Sequence, residues 1–386
     1  MQSPATPSMP PQPPRRQPRI AIVGGSITGP VGALLLHQAG FHNVVIYEAA
    51  SDARSQGGGV IGLDHPALHI LEELGIGQDE VVRHPSETIW HVDPSGRHRL
   101  TYPGRLTTWT VLHQALTARL PDDMLHVGTR VTGISAGDGR PLLRLADGSA
   151  SPADLVIFAD GRSSIGRARL DPGRRTHYAG YVAHRGHAPT HDPISDFWRF
   201  EPRPGMQYAL APTPDGLDWT LYLNASPADF TAWFGAPPSE RPYVFGRHVS
   251  ARARDVVDQH AARQLPTGQA ALVHATVDRA AVAIADTDPP TRAVWPIAGG
   301  HAVLVGDALA PVRPHTVRGA NNGIEQAFGL SVALGQHLRH GADLHHALRA
   351  WQHRHLPAAI AAVHHGPVLG QRLGLGAPPA VPDDPR

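Results

Sequence analysis

The chain has 386 residues, of which 41% are apolar and 17% are charged, so it can bury a sizeable core and exceeds the length of one small domain. Its 34 basic residues are all arginine and nearly balance 33 acidic ones, and a net charge of +1 lacks the basic field that nucleic-acid binding requires. The absence of lysine excludes Schiff-base chemistry and a P-loop lysine, and the absence of cysteine excludes disulfides, thiolate metal sites and cysteine nucleophiles.

Neither the leading segment nor the histidine content points to a membrane or a metal. Residues 1–17 are rich in proline and lack the apolar centre of a signal peptide, so we expect a disordered leader. No apolar run approaches the ~20 residues of a membrane span, and we expect a cytoplasmic monomer or homodimer without a membrane or nucleic-acid partner. The 26 histidines include a cluster near the C-terminus, but none of these forms the i, i+4 pair of helical zinc sites. We interpret the cluster as a solvated helix face and predict no metal site.

The first predicted elements are a strand, a glycine-rich turn, a helix and a second strand. Residues 19–23 favour a buried parallel strand, the turn GGSITG follows at residues 24–29, and a helix rich in alanine and leucine closes at Gly40. The second strand, residues 43–47, ends at Glu48, about 20 positions beyond the glycines. This βαβ unit predicts a dinucleotide site, and the alternative is the same unit without a ligand.

The residue types in this turn suit a pyrophosphate and a ribose. Gly24 permits the tight turn, and Gly29 lets the helix pack close to the strand. The helix N-terminus offers free N–H groups to a pyrophosphate, and the Ser26 hydroxyl can donate to the same group. Glu48 can accept both hydroxyl protons of an adenosine ribose and disfavours a 2′-phosphate, so NADP is not expected at this site.

Two later stretches combine a strand with polar residues at its end. An apolar strand over residues 153–158 runs into Asp160-Gly161 and a short helix, for which the alternative is an ordinary β-turn. A further strand over residues 301–305 delivers Asp307 at the carboxyl end, the edge where open parallel sheets bind ligands. After a loop, a helix begins near Gly319, and its N-terminus can stabilise a developing anion.

These three stretches, in this order and at these separations, resemble the FAD-dependent aromatic hydroxylases of the p-hydroxybenzoate hydroxylase fold. The resemblance covers residues 18–373, and several further segments are similar to the 2,6-dihydroxypyridine 3-hydroxylase branch. Those segments are GGGVIGLDHPALHILEELG, TTWTVLHQAL, YAGYVAHRG and WQHRHLPAAIAAVHHGPVLGQRLG. The resemblance implies an α/β (α+β overall) fold, with a Rossmann-like FAD-binding domain, an inserted antiparallel-sheet substrate domain and C-terminal helices.

The resemblance also implies which residues contact FAD. The ADP part would lie against Gly24, Ser26, Ile27, Gly29 and Glu48. Asp160 and Gly161 would lie near the pyrophosphate and help reductant binding, and Asp307 would bind the ribityl chain. The flavin ring would face Pro314, Gly319, Ala320, Asn321 and Asn322. No second glycine fingerprint appears, so NADPH or NADH would bind transiently on the FAD domain.

Three positions depart from the pattern of the family. Trp109 stands where relatives have an arginine that contacts FAD, and we expect it to pack beside the cofactor. Gln326 stands where an aspartate is common, and His184 replaces a common tryptophan.

The implied domains divide the chain into several segments. The FAD-binding domain takes residues 18–86, 105–170 and 290–341, and the substrate domain takes residues 87–104 and 171–289. Residues 342–373 are predicted to be helical with a break at Pro357, and residues 374–386 form a tail. The substrate-domain runs are aromatic and separated by proline and glycine turns, which favours an antiparallel sheet.

One face of that sheet is expected to cover the flavin and line a substrate pocket. The lining candidates are His184, Tyr208, Trp219 and Tyr222, and a plain core role is the alternative for each. His184 is the candidate base that deprotonates a phenol, and His315 is the candidate flavin neighbour.

The implied reaction is the hydroxylation of a small aromatic or heteroaromatic molecule by NAD(P)H and O2 through a flavin hydroperoxide. The alternatives are a flavin oxidase or dehydrogenase, a Baeyer–Villiger or epoxidising enzyme on the same fold, and a catalytically silent flavin-binding or partner-binding protein. The sequence does not predict which substrate is used.

Overall fold

The computed structural model describes residues 17–51, 59–82, 88–189, 194, 196–213, 216–340 and 343–376. The predicted leader, apart from Gln17, lies outside the described residues, and so does the predicted tail beyond Gly376. Within the described ranges, no helix combines the length and the apolar character needed to cross a bilayer.

The strands are, in chain order, β1 (Ile20–Val23), β2 (Val44–Tyr47), β3 (Val60–Asp64), β4 (Thr88–Asp93), β5 (Gly96–Thr101), β6 (Gly104–Thr108), β7 (Leu125–His126), β8 (Val131–Ala136), β9 (Pro141–Leu145), β10 (Ala150–Pro152), β11 (Leu155–Phe158), β12 (Thr176–Pro189), β13 (Phe197–Arg203), β14 (Met206–Thr213), β15 (Gly216–Asn224), β16 (Tyr243–Val244), β17 (Arg279–Thr287), β18 (Val294–Ile297) and β19 (Gly300–Leu304).

The α-helices are α1 (Thr28–Gln38), α2 (His65–Glu73), α3 (Gln78–Val81), α4 (Trp109–Thr117), α5 (Ile165–Leu170), α6 (Pro227–Phe234), α7 (Ala251–Gln264), α8 (Thr267–Ala275), α9 (Gly319–His340) and α10 (Leu344–Arg372).

A six-stranded sheet in the order β18-β19-β11-β1-β2-β7 forms the centre of the first layer. All its neighbouring strands run parallel except β18, which is antiparallel to β19. Strands β1 and β11 are buried at every position, as expected for short apolar strands covered on both faces. Helices α1 and α9 pack against each other, and α10 packs against α9. The predicted Rossmann-like architecture is confirmed.

An eight-stranded sheet in the order β16-β17-β12-β15-β14-β13-β4-β5 forms the second layer. Its pairs are antiparallel except for β13 and β4, which run parallel. Its described strands come from residues 88–101 and 176–287, with helices α6, α7 and α8 packed on one face through two apolar clusters. The domain boundaries given above stay predictions.

Two smaller sheets complete the described fold, β10-β9-β8 and the antiparallel pair β3-β6. The β3-β6 pair lies beside the start of α9, because Asn321 donates from Nδ2 to the Gly62 carbonyl at 2.9 Å. The β3 strand therefore borders the edge to which Asp307 is delivered.

The break predicted at Pro357 is wrong, because α10 runs without interruption through both Pro357 and Pro367. A proline inside a helix removes one N–H donor and crowds the preceding turn. The packing of α10 compensates for this, since its Gly366 and Gly370 lie directly against the buried Arg313 side chain.

Candidate active site

The glycine-rich turn between β1 and α1 packs against the end of β11. Gly24 has a φ of 108°, and a Cβ on it would overlap the Ala159 carbonyl. A Cβ on Gly29 would overlap the Gly24 carbonyl. Both positions therefore require glycine for steric reasons. Helix α1 has no side-chain cap at its N-terminus, so that end is left with free donors for an anion.

The Glu48 carboxylate lies across the mouth of this turn. Its Oε2 accepts from the Gly25 N–H at 2.7 Å, and its Oε1 accepts from the Ala50 N–H at 2.7 Å. The side chain is buried, so both hydrogen bonds fix the position of the carboxylate at the end of β2.

Helix α4 contacts the same turn through two stacked side chains. Trp109 donates from Nε1 to the Ser26 Oγ at 2.9 Å, and His113 donates from Nε2 to the Gly25 carbonyl at 2.9 Å. The two rings stack with their centroids 4.5 Å apart. Burial lowers the pKa of His113, which favours the neutral ring. Trp109, which stands where the resemblance implies an arginine, therefore holds Ser26 through a neutral hydrogen bond.

The Asp160 carboxylate is used inside the protein. It accepts from the Ser164 hydroxyl at 2.5 Å and from the Ile165 N–H at 2.7 Å, so it holds the start of α5. Burial raises the pKa of Asp160, and these hydrogen bonds oppose the shift. Gly161 follows with a φ of 74°, and the backbone of Asp160 borders Gly24. The contact of Asp160 and Gly161 with a pyrophosphate stays a prediction. Because the Asp160 carboxylate is used inside the protein, such a contact would come from the backbone of these residues.

Two buried arginines donate hydrogen bonds to the backbone carbonyls of Asp307 and the two residues after it. Arg167 donates to the Asp307 and Ala308 carbonyls, each at 3.0 Å, and Arg174 donates to the Leu309 carbonyl at 2.6 Å. Burial raises the pKa of the Asp307 carboxyl, although nearby Arg162 and Arg167 oppose this. The Asp307 side chain is thus a partly desolvated carboxylate, which suits hydrogen bonds from a polyol chain.

Gln326 fixes the residue before Asp307. Its Oε1 accepts from the Gly306 N–H at 2.7 Å, and the side chain is buried. The sequence shows Gln326 only as a departure from the expected aspartate. In the structure its amide oxygen accepts a hydrogen bond, as a carboxylate oxygen could.

The start of α9 is tied to β3 by polar side chains. Asn321 is 1% exposed and accepts from the Asp64 N–H, while Arg318 forms ion pairs with Asp64 and Glu325. Asn322 accepts from Arg318 Nε at 3.1 Å. The Asn321 amide is thus used within the protein, whereas the Asn322 Nδ2 is buried without a partner among the described residues. A cofactor contact at this end of α9 can therefore come from the backbone and from the Asn322 Nδ2.

The loop between Asp307 and α9 contacts the second sheet through His315. Its Nδ1 lies 2.9 Å from Gln207 Oε1, and its ring lies 5.7 Å from that of Tyr181 and 4.6 Å from that of Tyr222. Pro314 precedes it in a short 3-10 helix. The strand face that bears these residues is therefore the one that meets the first sheet.

The tautomer of His315 follows from its neighbours. Gln207 donates from Nε2 to Glu201 Oε1 at 2.8 Å, which turns its carbonyl oxygen toward His315. Nδ1 of His315 must then carry the proton, and Nε2 is a bare acceptor without a partner among the described residues. Burial, with smaller contributions from Arg313 and Arg199, lowers the pKa of His315 to about 3, so the ring is neutral at pH 7.

His184, Tyr208 and Trp219 lie on the opposite face of that sheet, under the helices. Side chains alternate along a strand, and His184 is an odd number of positions from Tyr181. Its ring lies 6.0 Å from that of Trp233 on α6. Burial, then Arg279, lowers the pKa of His184 to about 3. This position brings His184 no contact with Asp307 or His315 and does not support a role as base.

Tyr208 and Trp219 share the cluster with α7 and α8, and Trp219 donates from Nε1 to Thr276 Oγ1 at 2.9 Å. Of the predicted pocket residues, Tyr222 alone shares a face with His315. The sequence carried no signal for Gln207, Arg167 or Arg174.

Comparison with known proteins identifies the family. The model of the FAD-binding domain family matches residues 18–365. The chain belongs to this family. It is 31% identical over 347 residues to a 6-hydroxynicotinate 3-monooxygenase of Bordetella bronchiseptica, covering 83% of each chain. It is 26% identical over 383 residues to a 2,6-dihydroxypyridine 3-monooxygenase of Paenarthrobacter nicotinovorans, covering 93% of this chain and 92% of that one.

A solved structure has the same fold. It is that of 2,6-dihydroxypyridine-3-hydroxylase from Arthrobacter nicotinovorans, with a TM-score of 0.81 at 24% identity, covering 95% of this chain and 96% of that one. The predicted family, the fold class and the FAD cofactor are confirmed. The protein is an FAD-dependent monooxygenase.

Proposed function

We propose that this monooxygenase uses NADH or NADPH and O2 to hydroxylate a small aromatic or heteroaromatic ring. The supporting observation is convergence: the glycine turn, Asp307 and the start of α9 meet at one edge of the parallel sheet, and His315 joins that edge to one face of the second sheet. The relatives support a heteroaromatic substrate, since those named above act on 6-hydroxynicotinate and 2,6-dihydroxypyridine.

The adenosine end of FAD is proposed to lie at Glu48 and the pyrophosphate at the turn containing Ser26 and Ile27. The turn supports this, because Gly24 and Gly29 let it pack closely against β11 and the start of α1, and α1 begins without a side-chain cap that would use its N–H groups. Asp307 would accept hydrogen bonds from the ribityl hydroxyls. When bound, FAD supplies the redox chemistry and the activation of O2.

The flavin ring is proposed to lie between the start of α9 and the sheet face that carries Tyr222. The α9 N-terminus, held against β3 by Asn321, would favour negative charge on a bound flavin. His315 is neutral and bonded to Gln207, which fixes the loop and would leave its Nε2 as an acceptor beside a bound flavin. The second sheet would exclude water from the bound ring.

No protein base is assigned, because His184 lies on the helix-covered face and His315 is a weak base. A substrate whose ring hydroxyl is acidic enough to ionise in solution needs no protein base. It requires only a site that tolerates the negative charge of the ionised hydroxyl. A cytoplasmic location and a monomeric or homodimeric state remain part of this proposal.

Oxygen-isotope incorporation tests the proposal directly. Purified holoenzyme is given NADH or NADPH and a panel of hydroxylated benzoates and pyridines under 18O2, and products are analysed by mass spectrometry. We expect reductant oxidation to rise with substrate and one labelled atom to enter the product. Peroxide formation without label in any product would replace this proposal with an oxidase.

A further inference from the structure

Arg313 is a buried arginine in the loop between Asp307 and α9, two residues before His315. Its Nε donates to Asp286 Oδ1 at 2.8 Å, and its Nη2 donates to Asp286 Oδ2 at 2.5 Å. Asp286 belongs to β17, so this bidentate ion pair joins the loop to the second sheet. A guanidinium held at two N–H groups cannot rotate without breaking the pair.

Helix α10 leaves space for the same side chain. A Cβ on Gly370 would overlap Arg313 Nη1, and a Cβ on Gly366 would lie 3.2 Å from Arg313 Cγ. Both glycines lie within α10, where a larger residue would press on the arginine. The end of α10 is therefore packed around Arg313.

Residues 373–376, which follow α10, are fixed to the second sheet by their backbone. Asn224 at the end of β15 donates from Nδ2 to the Gly374 carbonyl at 2.8 Å and accepts from the Gly376 N–H at 2.9 Å. The Leu375 carbonyl between them accepts from Arg313 Nη1 at 3.3 Å. Because the segment is anchored in this way, it offers Arg313 a fixed acceptor.

Arg313 also contacts the aromatic group around His315. Its guanidinium carbon lies 5.4 Å from the centre of the Tyr181 ring, and that ring stacks on the His315 ring with the centroids 5.7 Å apart. Leu375 is buried in one apolar cluster with Tyr181 and Tyr222. Arg313 therefore acts on the position of His315 by two routes, the loop backbone and the Tyr181 ring.

We propose that Arg313 is a positioning residue for His315, and that α10 and residues 373–376 are needed to hold it. We call Arg313 with its partners Asp286, Leu375 and Tyr181 the Arg313 clamp. The proposal rests on the proposed function, in which His315 lies beside the flavin, and adds a connection from the end of α10 to that site. If the clamp is weakened, a smaller fraction of molecules has the loop in place, and the apparent substrate affinity falls by that fraction.

Three variants of the holoenzyme weaken the clamp from different sides. Arg313→Lys keeps the charge but loses the paired N–H donors. Gly370→Ala keeps Arg313 in the chain and displaces its guanidinium, since the added Cβ would overlap Nη1. Asp286→Asn keeps the shape of the partner and removes its charge. The three variants need not fold equally well, and each tests the clamp by itself.

Two control variants make matched changes elsewhere. Arg279 is 5% exposed, against 6% for Arg313, contacts Asp258 at 2.8 Å and lies 5.8 Å from the Trp219 ring, so Arg279→Lys removes the same kinds of contact under the helices. Gly268→Ala is the control for Gly370→Ala, because no described residue beyond its neighbours in the chain and its own helix backbone lies within 4 Å of a Cβ there.

The readouts separate the surroundings of the flavin from the stability of the fold. The visible circular dichroism of the bound flavin reports the surroundings of the ring and needs no substrate. Flavin-absorbance titrations with 6-hydroxynicotinate and 2,6-dihydroxypyridine give dissociation constants, and FAD content and Tm report folding. The clamp variants are expected to change the flavin signal and to weaken binding about 10-fold, as when about one molecule in ten has the loop in place. Arg279→Lys is expected to lower Tm without either effect, and Gly268→Ala to change none of the three.

A double variant shows whether Arg313 acts through His315. Arg313→Lys is combined with His315→Ala and compared with each single variant. If His315 is the route, Arg313→Lys changes the flavin signal and the affinity by no more than about 2-fold in the His315→Ala background, while the losses in Tm add.

The proposal is overturned if the clamp variants lower Tm only as Arg279→Lys does and leave the flavin signal unchanged. It is also overturned if Arg313→Lys keeps its full effect in the absence of His315. Either result, with wild type that incorporates 18O, leaves the proposed function standing. Loss of FAD binding or of 18O incorporation in wild type would instead remove the proposed function.

Discussion

Replacing Trp109 measures how strongly α4 holds the dinucleotide turn. The indole makes two separable contacts, a hydrogen bond from Nε1 to Ser26 in the turn at 2.9 Å and a stack on the ring of His113, whose own Nε2 donates to the Gly25 carbonyl, at 4.5 Å between centroids. Trp109→Phe removes only the donor, while Trp109→Ala removes the ring as well. The Ser26 hydroxyl then loses the partner that orients it toward a phosphate.

The expected sizes follow from these contacts. One neutral hydrogen bond contributes about 1 kcal/mol, so Trp109→Phe should weaken FAD binding about 5-fold. Loss of the stacked ring adds about 0.5–1.5 kcal/mol and leaves a void, so Trp109→Ala should weaken binding ~30-fold or more. Trp109→Arg should retain or raise the affinity, because a guanidinium can reach the hydroxyl or the phosphate.

The assay titrates FAD into apoprotein and follows the quenching of flavin fluorescence. Ser26→Ala and the Ser26→Ala/Trp109→Phe double variant complete a cycle with an expected coupling of about 1 kcal/mol. Unchanged FAD affinity in Trp109→Ala would show that this helix position does not act on the cofactor. A coupling of zero would show that the Trp109–Ser26 bond is not made in the holoenzyme.

Three further outcomes are expected. Purified protein should be yellow and release FAD rather than FMN, and Asp307→Ala should lower FAD affinity ~10-fold or more; colourless protein that takes up no FAD would contradict the site. Burial raises the pKa of Asp307, so the ionised carboxylate destabilises the FAD-free fold, and Asp307→Asn should raise the apoprotein Tm at pH 7 but not below the ordinary carboxyl pKa. His184→Gln should lower the substrate-stimulated rate less than ~10-fold, against ~10²-fold for a general base; because the pKa of His184 is lowered from 6.5 to about 3, native His184 costs stability as the pH falls through this window, and urea unfolding of His184→Gln at pH 5 should show a smaller acid loss.

Local features of the first βαβ unit were predictable from the sequence because each depends on neighbours close in the chain. A left-handed turn at Gly24 and a close helix at Gly29 need glycine whatever the rest of the fold does. The position of Glu48 at the end of β2 was predictable because it depends only on the lengths of α1 and β2. The strand that delivers Asp307 was predictable for the same reason, as an apolar run ending in a polar residue.

The faces of the second sheet were not predictable in this way. A shift of one residue in register reverses which side chains point to the helices, and nothing within β12 or β15 fixes it. His184 and Tyr222 were equivalent candidates in the sequence. The structure places them on opposite faces, since the His184 ring lies near Trp233 on α6 and the Tyr222 ring lies near His315. The pairing of arginines on this sheet likewise depends on which carboxylates other residues bring near. Arg199 on β13 contacts Glu201, whereas Arg185 on β12 has no ion pair among the described residues.

Two of the three departures from the expected pattern, Trp109 and Gln326, have a common physical explanation. Trp109 replaces a charged donor with a neutral one and donates to Ser26, and Gln326 replaces a charged acceptor with a neutral one and accepts from Gly306. Each keeps a hydrogen bond and removes the charge. Trp109 acts on Ser26, a predicted cofactor contact, and Gln326 acts on Gly306, which precedes the predicted contact Asp307. The sequence shows the change of residue, but the partner lies 83 positions away for Trp109 and 20 for Gln326, so only the folded chain shows that the role is kept. Because both roles survive, these two substitutions are consistent with a chain that still binds FAD, and they give no support to a catalytically silent protein.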